Sequence, residues 1–361
     1  MKRRVFLTAG AASAIGAGLA KPAIAQSTPN ITWRLASVFP RSAEVIMGAA
    51  NHMAHSVAAL TDGRFRIQIF PAGSAEVGRN PITAVTTGAV ECAQAPLYAL
   101  ADKQPTFAFG TGIPFGLNAR HQHSWWLTGG GREIITKELE KFNCTALVMG
   151  NSGTQMGGWF RKEIASVDDL KGLKFRIGGM GGDILARLGV EKITLPPGEV
   201  PAALEKGTID AAEFVGPADD EKLGLFKVAK YYYHPGWWEG GAMLHLVVHL
   251  KAWAALPASY QAALETAGEA ANAWMLAQYD RGNPAALKRL VAQGVMLRAF
   301  PKPVLDACWQ SAEAYYAELS ATNSLFKSTL ASHNAFRAEA MAYWRIAELD
   351  YDTMMSERLG R

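Results

Sequence analysis

The segments richest in glycine and histidine are the first places to look for chemistry. Gly178-Gly179-Met180-Gly181-Gly182-Asp183 follows a strand-like run and opens a helical one. That is the setting of a dinucleotide loop, but no register spells Gly-x-Gly-x-x-Gly. These glycines instead let the backbone pass close to another group in a cleft, or form a tight turn. His121 and His123 lie two apart and so face apart on a helix, which predicts solvated or capping roles and not a metal pair. His52 and His55 share a helix face, yet no nearby Cys or acid completes a site. The chain has no Gly-x-Ser-x-Gly elbow, no His-Glu-x-x-His and no phosphate loop ending in Gly-Lys-Ser/Thr. Cys92, Cys144 and Cys308 form no Cys-x-x-Cys pair, and each apolar context reads as a small buried residue. Trp237-Trp238 reads either as an aromatic wall for a ligand or as core. Arg176 closes a strand-like run; its permanently charged, planar guanidinium suits a carboxylate, although position alone reads as a surface arginine.

The elements that would position these groups alternate along the chain. Ile31–Phe39 and Arg64–Phe70 read as strands, and Glu44–Leu60 between them as a helix with apolar positions at helical spacing. Ala146–Met149, Leu173–Ile177 and Leu244–Leu250 read as further strands. Pro257–Gln278 and Ser328–Glu348 read as long helices. This alternation predicts α/β domains with mostly parallel sheets. One internal echo sharpens the reading. The run from Val85 through Gly88, Val90 and Glu91 to Ala93 resembles that from Leu204 through Gly207, Ile209 and Asp210 to Ala212. Each reads as a helix end, a glycine stop and a short strand with one acid. Two such units in a chain of this length predict two similar lobes with a ligand between the strand ends.

The N-terminus predicts export. Lys2, Arg3 and Arg4 precede Val5-Phe6-Leu7 and a weakly apolar run, and Ala23-Ile24-Ala25 supplies a small-residue cleavage site. The paired arginines predict a twin-arginine signal over residues 1–25 and a mature start at Gln26, free in the periplasm. No later stretch reaches about 18 uninterrupted apolar residues. The formal charge of +4 resides in that segment, since removing Lys2, Arg3, Arg4 and Lys21 leaves 32 basic and 32 acidic residues. A neutral mature chain has no electrostatic footprint for nucleic acid or anionic lipid.

The segment Asp169-Leu170-Lys171-Gly172-Leu173-Lys174-Phe175-Arg176-Ile177 resembles the signature of DctP-type solute-binding proteins of tripartite ATP-independent periplasmic (TRAP) transporters. Phe70-Pro71-Ala72-Gly73 resembles that family's turn after a strand, and the run Glu205–Glu213 its second-domain motif. The run Tyr231–Gly241 is similar to the branch that binds 2-oxo and 2-hydroxy monocarboxylates with a metal ion. The resemblance spans Asn30 to the C-terminus and implies roles. Arg176 matches the arginine that grips the ligand carboxylate, and Tyr98 a position that reaches into the cleft. Gln155 and Glu213 match metal-holding positions, joined by the carbonyl of Phe214, where tryptophan is more usual. Glu239 is either a further ligand or a solvated acid, and Trp238 stands as a candidate ligand wall. Such an oxygen set implies Na⁺ or Ca²⁺ and not zinc. Branches that take sialic acid or dicarboxylates carry a second arginine near the loop Asn151-Ser152-Gly153-Thr154-Gln155, which has none here, so one carboxylate is favoured.

The expected molecule is therefore a two-lobed clamshell with hinge strands and long C-terminal helices, and it is not an enzyme. Domain I is expected at 26–151 and about 243–285, domain II at 152–242 and about 286–320, with a C-terminal helical brace at 321–361. Its expected partners are a small carboxylate, the TRAP membrane permease and, from the aromatics on the C-terminal helices, a second copy of itself. An aromatic or longer carboxylate is the rival ligand, and a periplasmic enzyme acting on 2-oxo acids the rival class. The export signal is directly testable. Replacing Arg3 and Arg4 with lysine is expected to hold the precursor in the cytoplasm; normal periplasmic yield on cell fractionation would point to Sec export instead.

Overall fold

The computed structural model describes residues 29–78 and 80–359. The expected signal segment and the mature start at Gln26 lie outside them. Among the described residues eleven strands form two sheets. The first has the order β2-β1-β3-β10-β4, built from β1 (Ile31–Ser37), β2 (Phe65–Phe70), β3 (Cys92–Pro96), β4 (Cys144–Asn151) and β10 (Met243–His249). The second has the order β11-β9-β5-β8-β6-β7, built from β5 (Trp159–Phe160), β6 (Lys174–Arg176), β7 (Glu191–Ile193), β8 (Ala211–Ala212), β9 (Tyr231–His234) and β11 (Met296–Ala299). The helices that matter for the site are α1 (Glu44–Leu60), α2 (Ala119–Thr128), α3 (Gly179–Ala186), α4 (Val200–Lys206), α5 (Pro217–Leu223), α6 (Ala258–Ala292), α7 (Lys302–Thr322), α8 (Ser324–Trp344) and α9 (Asp350–Leu359).

Sequence patterns explain these elements locally. In β2 the side chains of Phe65 and Ile67 are buried while Arg66 and Gln68 face solvent, the alternation of a half-covered strand. β3 and most of β10 are buried on both faces, as central strands must be. α1 buries Ile46, Met47, Ala49, Ala50, Met53 and Val57, one stripe at helical spacing. Burying a side chain such as Met53 is worth about 1.5–3 kcal/mol. The echoed units are both present: α4 ends at Gly207, whose φ of +71° is the left-handed conformation that favours glycine, and β8 follows.

The sheets are more mixed than the mostly parallel arrangement expected. β10 runs antiparallel to β3 and β4, and β5 antiparallel to β8 and β9. Both belong to the connections between sheets. The chain leaves the first sheet after β4 and enters the second as β5, then returns from β9 to β10, so these strands arrive from the opposite side. α6 makes a third passage and leads to β11. It is 35 residues long and continues through Pro284, well beyond the expected end at Gln278. Gly282-Asn283-Pro284 reads locally as a stop, but packing overrides it; Asn283 Oδ1 also accepts the Ala218 amide at 3.1 Å. The histidines set aside as metal ligands are absorbed by packing. His52 stacks on Trp274, buried His121 meets Trp344 edge-on, and His123 pairs with Glu269 at 2.7 Å. Cys92, Cys144 and Cys308 are free and buried.

α8 is fixed to the body by His333, which is fully buried between Phe109 and Trp125. Burial, helped by the nearby Arg337 charge, lowers its pKa to about 3. An unfolded histidine titrates near 6.5. Between those values the unfolded chain binds the extra proton, so this residue's effect is to make stability fall as pH drops below about 6.5. His333→Phe is expected to flatten that dependence, removing up to about 1.4 kcal/mol per pH unit from the slope. Denaturant titrations of parent and variant at pH 7, 6 and 5 check this; parallel pH profiles would refute it.

Candidate functional site

The strand ends converge on one cavity of about 200 Å³ between the sheets. From the first lobe come Val38 and Phe39 after β1, Pro96 and Tyr98 at the end of β3, Ile46 of α1 and Met275 of α6. From the second come Arg176 at the end of β6, and Glu213, Phe214 and Val215 after β8. The crossing segments supply Ser152 and Gln155 after β4, and Glu239, Ala242 and Leu244 on the way into and along β10. The placing follows from topology. Parallel β6 and β8 put Arg176 opposite Ala212, and the Glu213 amide donates to the Arg176 carbonyl at 3.1 Å. The Gln155 amide donates to the Glu239 carbonyl at 3.2 Å. Gly236 lies so close to this loop that a Cβ would stand 2.8 Å from the Gln155 carbonyl oxygen and 2.6 Å from that of Met156. Only glycine lets the two crossing segments touch there.

Charge is unevenly matched in this space. Arg176 Nη1 donates to Glu213 Oε1 at 2.9 Å and to the Glu213 carbonyl at 2.6 Å, and Nε donates to the Leu195 carbonyl at 3.1 Å. Those bonds use Nε and Nη1, so Nη2 is the arm of the fork presented to a ligand. Burial pushes the Glu213 carboxyl up, against the pull of Arg176 and of the Gly178 amide. Glu239 is pushed to about 8 by burial and then by the charge of Glu213, with Arg176 and the Gln155 side chain opposing. Burial first, and then the charges of Glu239 and Glu213, hold the Tyr98 hydroxyl protonated far above its usual range, Arg176 opposing. Ionised, the buried Glu213 and half-buried Glu239 thus face one guanidinium, and a ligand carboxylate would add a third negative charge.

A metal ion answers that imbalance, and the donors present fit one. Gln155 Oε1 is buried and has no hydrogen-bond partner among the described residues, although its Nε2 donates to Ser152 Oγ at 3.2 Å. An unpaired buried carbonyl oxygen beside two carboxylates is the donor set of a hard cation. Among the described residues no group of three or more His, Cys, Asp or Glu gathers to bind a softer metal.

Of the residues singled out from sequence, Tyr98, Gln155, Arg176, Glu213, Phe214 and Glu239 all line this cavity. Trp238 does not. It is 3 % exposed and packs against Phe175, Trp237 and Phe300, so the structure resolves its two readings in favour of core. Glu239, open between ligand and solvated acid, is half-buried at the edge of this cavity. The glycine loop Gly178-Gly179 does pass close to another group: Cβ atoms there would lie 3.7 and 3.6 Å from Tyr98 of the opposite lobe. Sequence reasoning missed the apolar wall of Phe39, Ile46, Leu244 and Met275. Phe39 follows β1 directly, and the rule that ligands sit at strand ends could have found it; Met275 lies mid-helix and carries no such signal. Among the lining residues Arg176 is the one arginine.

Comparison with known proteins places this geometry. The profile of bacterial extracellular solute-binding protein family 7 (DctP) matches residues 36–323. A monocarboxylate 2-oxoacid-binding periplasmic protein of Nostoc sp. is 42% identical over 99% of each chain. A TRAP transporter solute-binding protein of Bordetella bronchiseptica is 44% identical, with a TM-score of 0.90 over 92% of this chain and 99% of that one. Its structure is a mixed-occupancy dimer with copurified calcium and picolinate in one site. A TRAP periplasmic solute-binding protein of Colwellia psychrerythraea, 35% identical with a TM-score of 0.86 over 89% and 98% of the two chains, has calcium and pyruvate bound. One from Pseudoalteromonas atlantica, 34% identical with the same TM-score and coverage, has sodium and pyruvate bound.

Proposed function

The chain belongs to the DctP family of bacterial extracellular solute-binding proteins, and we propose that it captures a small 2-oxo or 2-hydroxy monocarboxylate with a cation and hands it to a TRAP permease in the membrane. The observation that carries this reading is the cavity where one arginine faces two acids, Glu213 buried and Glu239 half-buried, and an unpaired amide oxygen. Arg176 offers Nη2 to the ligand carboxylate. Tyr98, held protonated, donates from the opposite lobe. Glu213, Glu239, Gln155 Oε1 and the Phe214 carbonyl would hold Na⁺ or Ca²⁺. Such an ion offsets the surplus negative charge and offers a Lewis-acidic partner to the ligand oxygens. Phe39, Ile46, Leu244 and Met275 receive the alkyl end and exclude water. The cavity is smaller than the roughly 300–1,000 Å³ of drug-sized sites, which favours short acids. The calcium- and pyruvate-bound and sodium- and pyruvate-bound relatives support the same class. The picolinate in the Bordetella relative supports an aromatic carboxylate as the second reading, with Phe39 as its platform.

The protein binds without turnover, in the periplasm. No helix among the described residues is long and apolar enough to cross a membrane. Pyruvate, 2-oxobutyrate, lactate and picolinate, each incubated with calcium present, are to be recovered unchanged, and those that bind raise the melting temperature. Stabilisation is about 2.7 kcal/mol at a hundredfold excess over the dissociation constant. Arg176→Lys cannot keep the Glu213 and Leu195 bonds while also donating to the ligand, and is expected to weaken binding by about 2–5 kcal/mol. Glu213→Gln is expected to lower affinity and to flatten its dependence on added cation, with Gln155→Ala a milder form of the same defect. Parent-like affinity in both the Arg176 and Glu213 variants, or product formation, would overturn the assignment.

We also propose a homodimer formed through the C-terminal helices. α8 runs through a π-helical turn at Arg345–Leu349 into α9, whose described residues are not buried. Tyr343 and Ile346 are 66% and 72% exposed, with Leu349, Tyr351 and Met354 exposed beyond them. A single chain leaves this apolar face uncovered. Light scattering well above micromolar concentration is expected to give twice the chain mass; a monomer mass there removes the dimer.

A further inference from the structure

Asp219 and Asp220 are buried acids that the cavity does not use, each 1% exposed, on the short helix α5 that follows the cavity residues Phe214 and Val215. Their side chains serve different partners. Asp220 Oδ2 accepts from Trp159 Nε1 and from Tyr232 Oη, both at 2.8 Å, which ties it to β5 and β9 of the second sheet. Its Oδ1 accepts the Val215 amide at 3.2 Å, so the same carboxylate sets the backbone that ends the cavity wall. Asp219 Oδ2 instead accepts from Tyr279 Oη at 2.5 Å, on α6. The backbone amide of Val45, at the start of α1, and the Lys222 charge further favour its ionised form, and Glu44 opposes it. Lys222 and Glu44 join α5 to α1 by an ion pair on the outside of the same contact.

Resting on the carboxylate-binding reading above, we propose that Asp219 and Asp220 are positioning residues that lock the closed cleft: Asp220 holds the second lobe's cavity wall, and Asp219 fastens that wall to the first lobe. They are adjacent on one turn of helix, so α5 can satisfy both sets of donors in only one relative placing of β5 and β9 against α1 and α6. Rotation of the lobes apart breaks one set and strips a buried carboxylate of a donor, a costly state. The lock forms after the lobes meet, so it governs escape of a bound acid and not its arrival. Burial is the main influence on both acids, raising Asp219 to about 6 and Asp220 to about 7, and the donors named oppose it.

The test uses Tyr279→Phe, which keeps the ring and removes one donor, together with Asp219→Asn. Stopped-flow fluorescence follows pyruvate binding and release with calcium present. Pulsed EPR between one spin label in each lobe, across the cleft mouth, follows closure with and without pyruvate. Both variants are expected to release pyruvate about tenfold faster, the worth of one hydrogen bond to a charged group, with the association rate unchanged. The closed distance is expected to lose population in both, with and without pyruvate. Parent-like release rates and distance distributions beside lowered melting temperatures would make the two acids merely structural and overturn the lock. If the parent does not bind pyruvate, the ligand reading fails by itself, and the ligand-free distances decide the lock: identical distributions in parent and variants overturn it.

Discussion

The ion pair between Arg176 and Glu213 is the interaction on which the rest of the site depends. The guanidinium is half-buried, already bonded to Glu213 through side chain and carbonyl, and stands near a second acid, the half-buried Glu239. In water such a trio would be unremarkable. Inside a small apolar-walled cavity each uncompensated charge is expensive, and adding an anionic ligand makes the balance worse unless positive charge enters with it. With both acids ionised, a monocarboxylate and a divalent cation bring the sum to neutrality, and a monocarboxylate with sodium leaves one negative charge. Carboxylate and cation are therefore partners in binding, each improving the site for the other.

The fold serves that constraint by bringing three sources of chain to one point. β6 and β8 deliver Arg176 and Glu213 side by side from the second sheet. The passages β4 to β5 and β9 to β10 deliver Gln155 and Glu239 from the hinge, touching at Gly236. The first sheet closes the cavity with Tyr98 and an apolar wall. No lobe holds the set alone, so the site is complete only when both meet, which makes ligand capture and closure one event. The α5 helix, gripping both lobes through neighbouring carboxylates, extends the same logic to the outside of the cleft.

How much of this was legible in the sequence depends on whether a residue's role is local. Alternation and helical spacing located α1 to the residue and β2 to within one, because each is an amphipathic element packed on one side. The family motif located Arg176, and the positions matched to it fall in one cavity, because the motif is itself a strand end. Tertiary effects were not legible. Pro284 reads as a break, yet α6 passes through it under packing from α5. Trp238 beside an acid reads equally as wall or core, and its neighbours Phe175 and Phe300 decide for core. Nothing local in Asp219-Asp220-Glu221-Lys222 marks any of its charges for burial. Only the tyrosines and the tryptophan brought in from three distant elements show that its first two acids are buried.

The claim that carboxylate and cation balance the buried charge together is tested most directly by calorimetry on dialysed, chelator-treated protein. Pyruvate is titrated with no added metal ion, with Na⁺ and with Ca²⁺, and Ca²⁺ is titrated with and without pyruvate. The account predicts that each strengthens the other by the same factor, with little pyruvate binding when no cation is present. An affinity for pyruvate that is equal in all three solutions would contradict it.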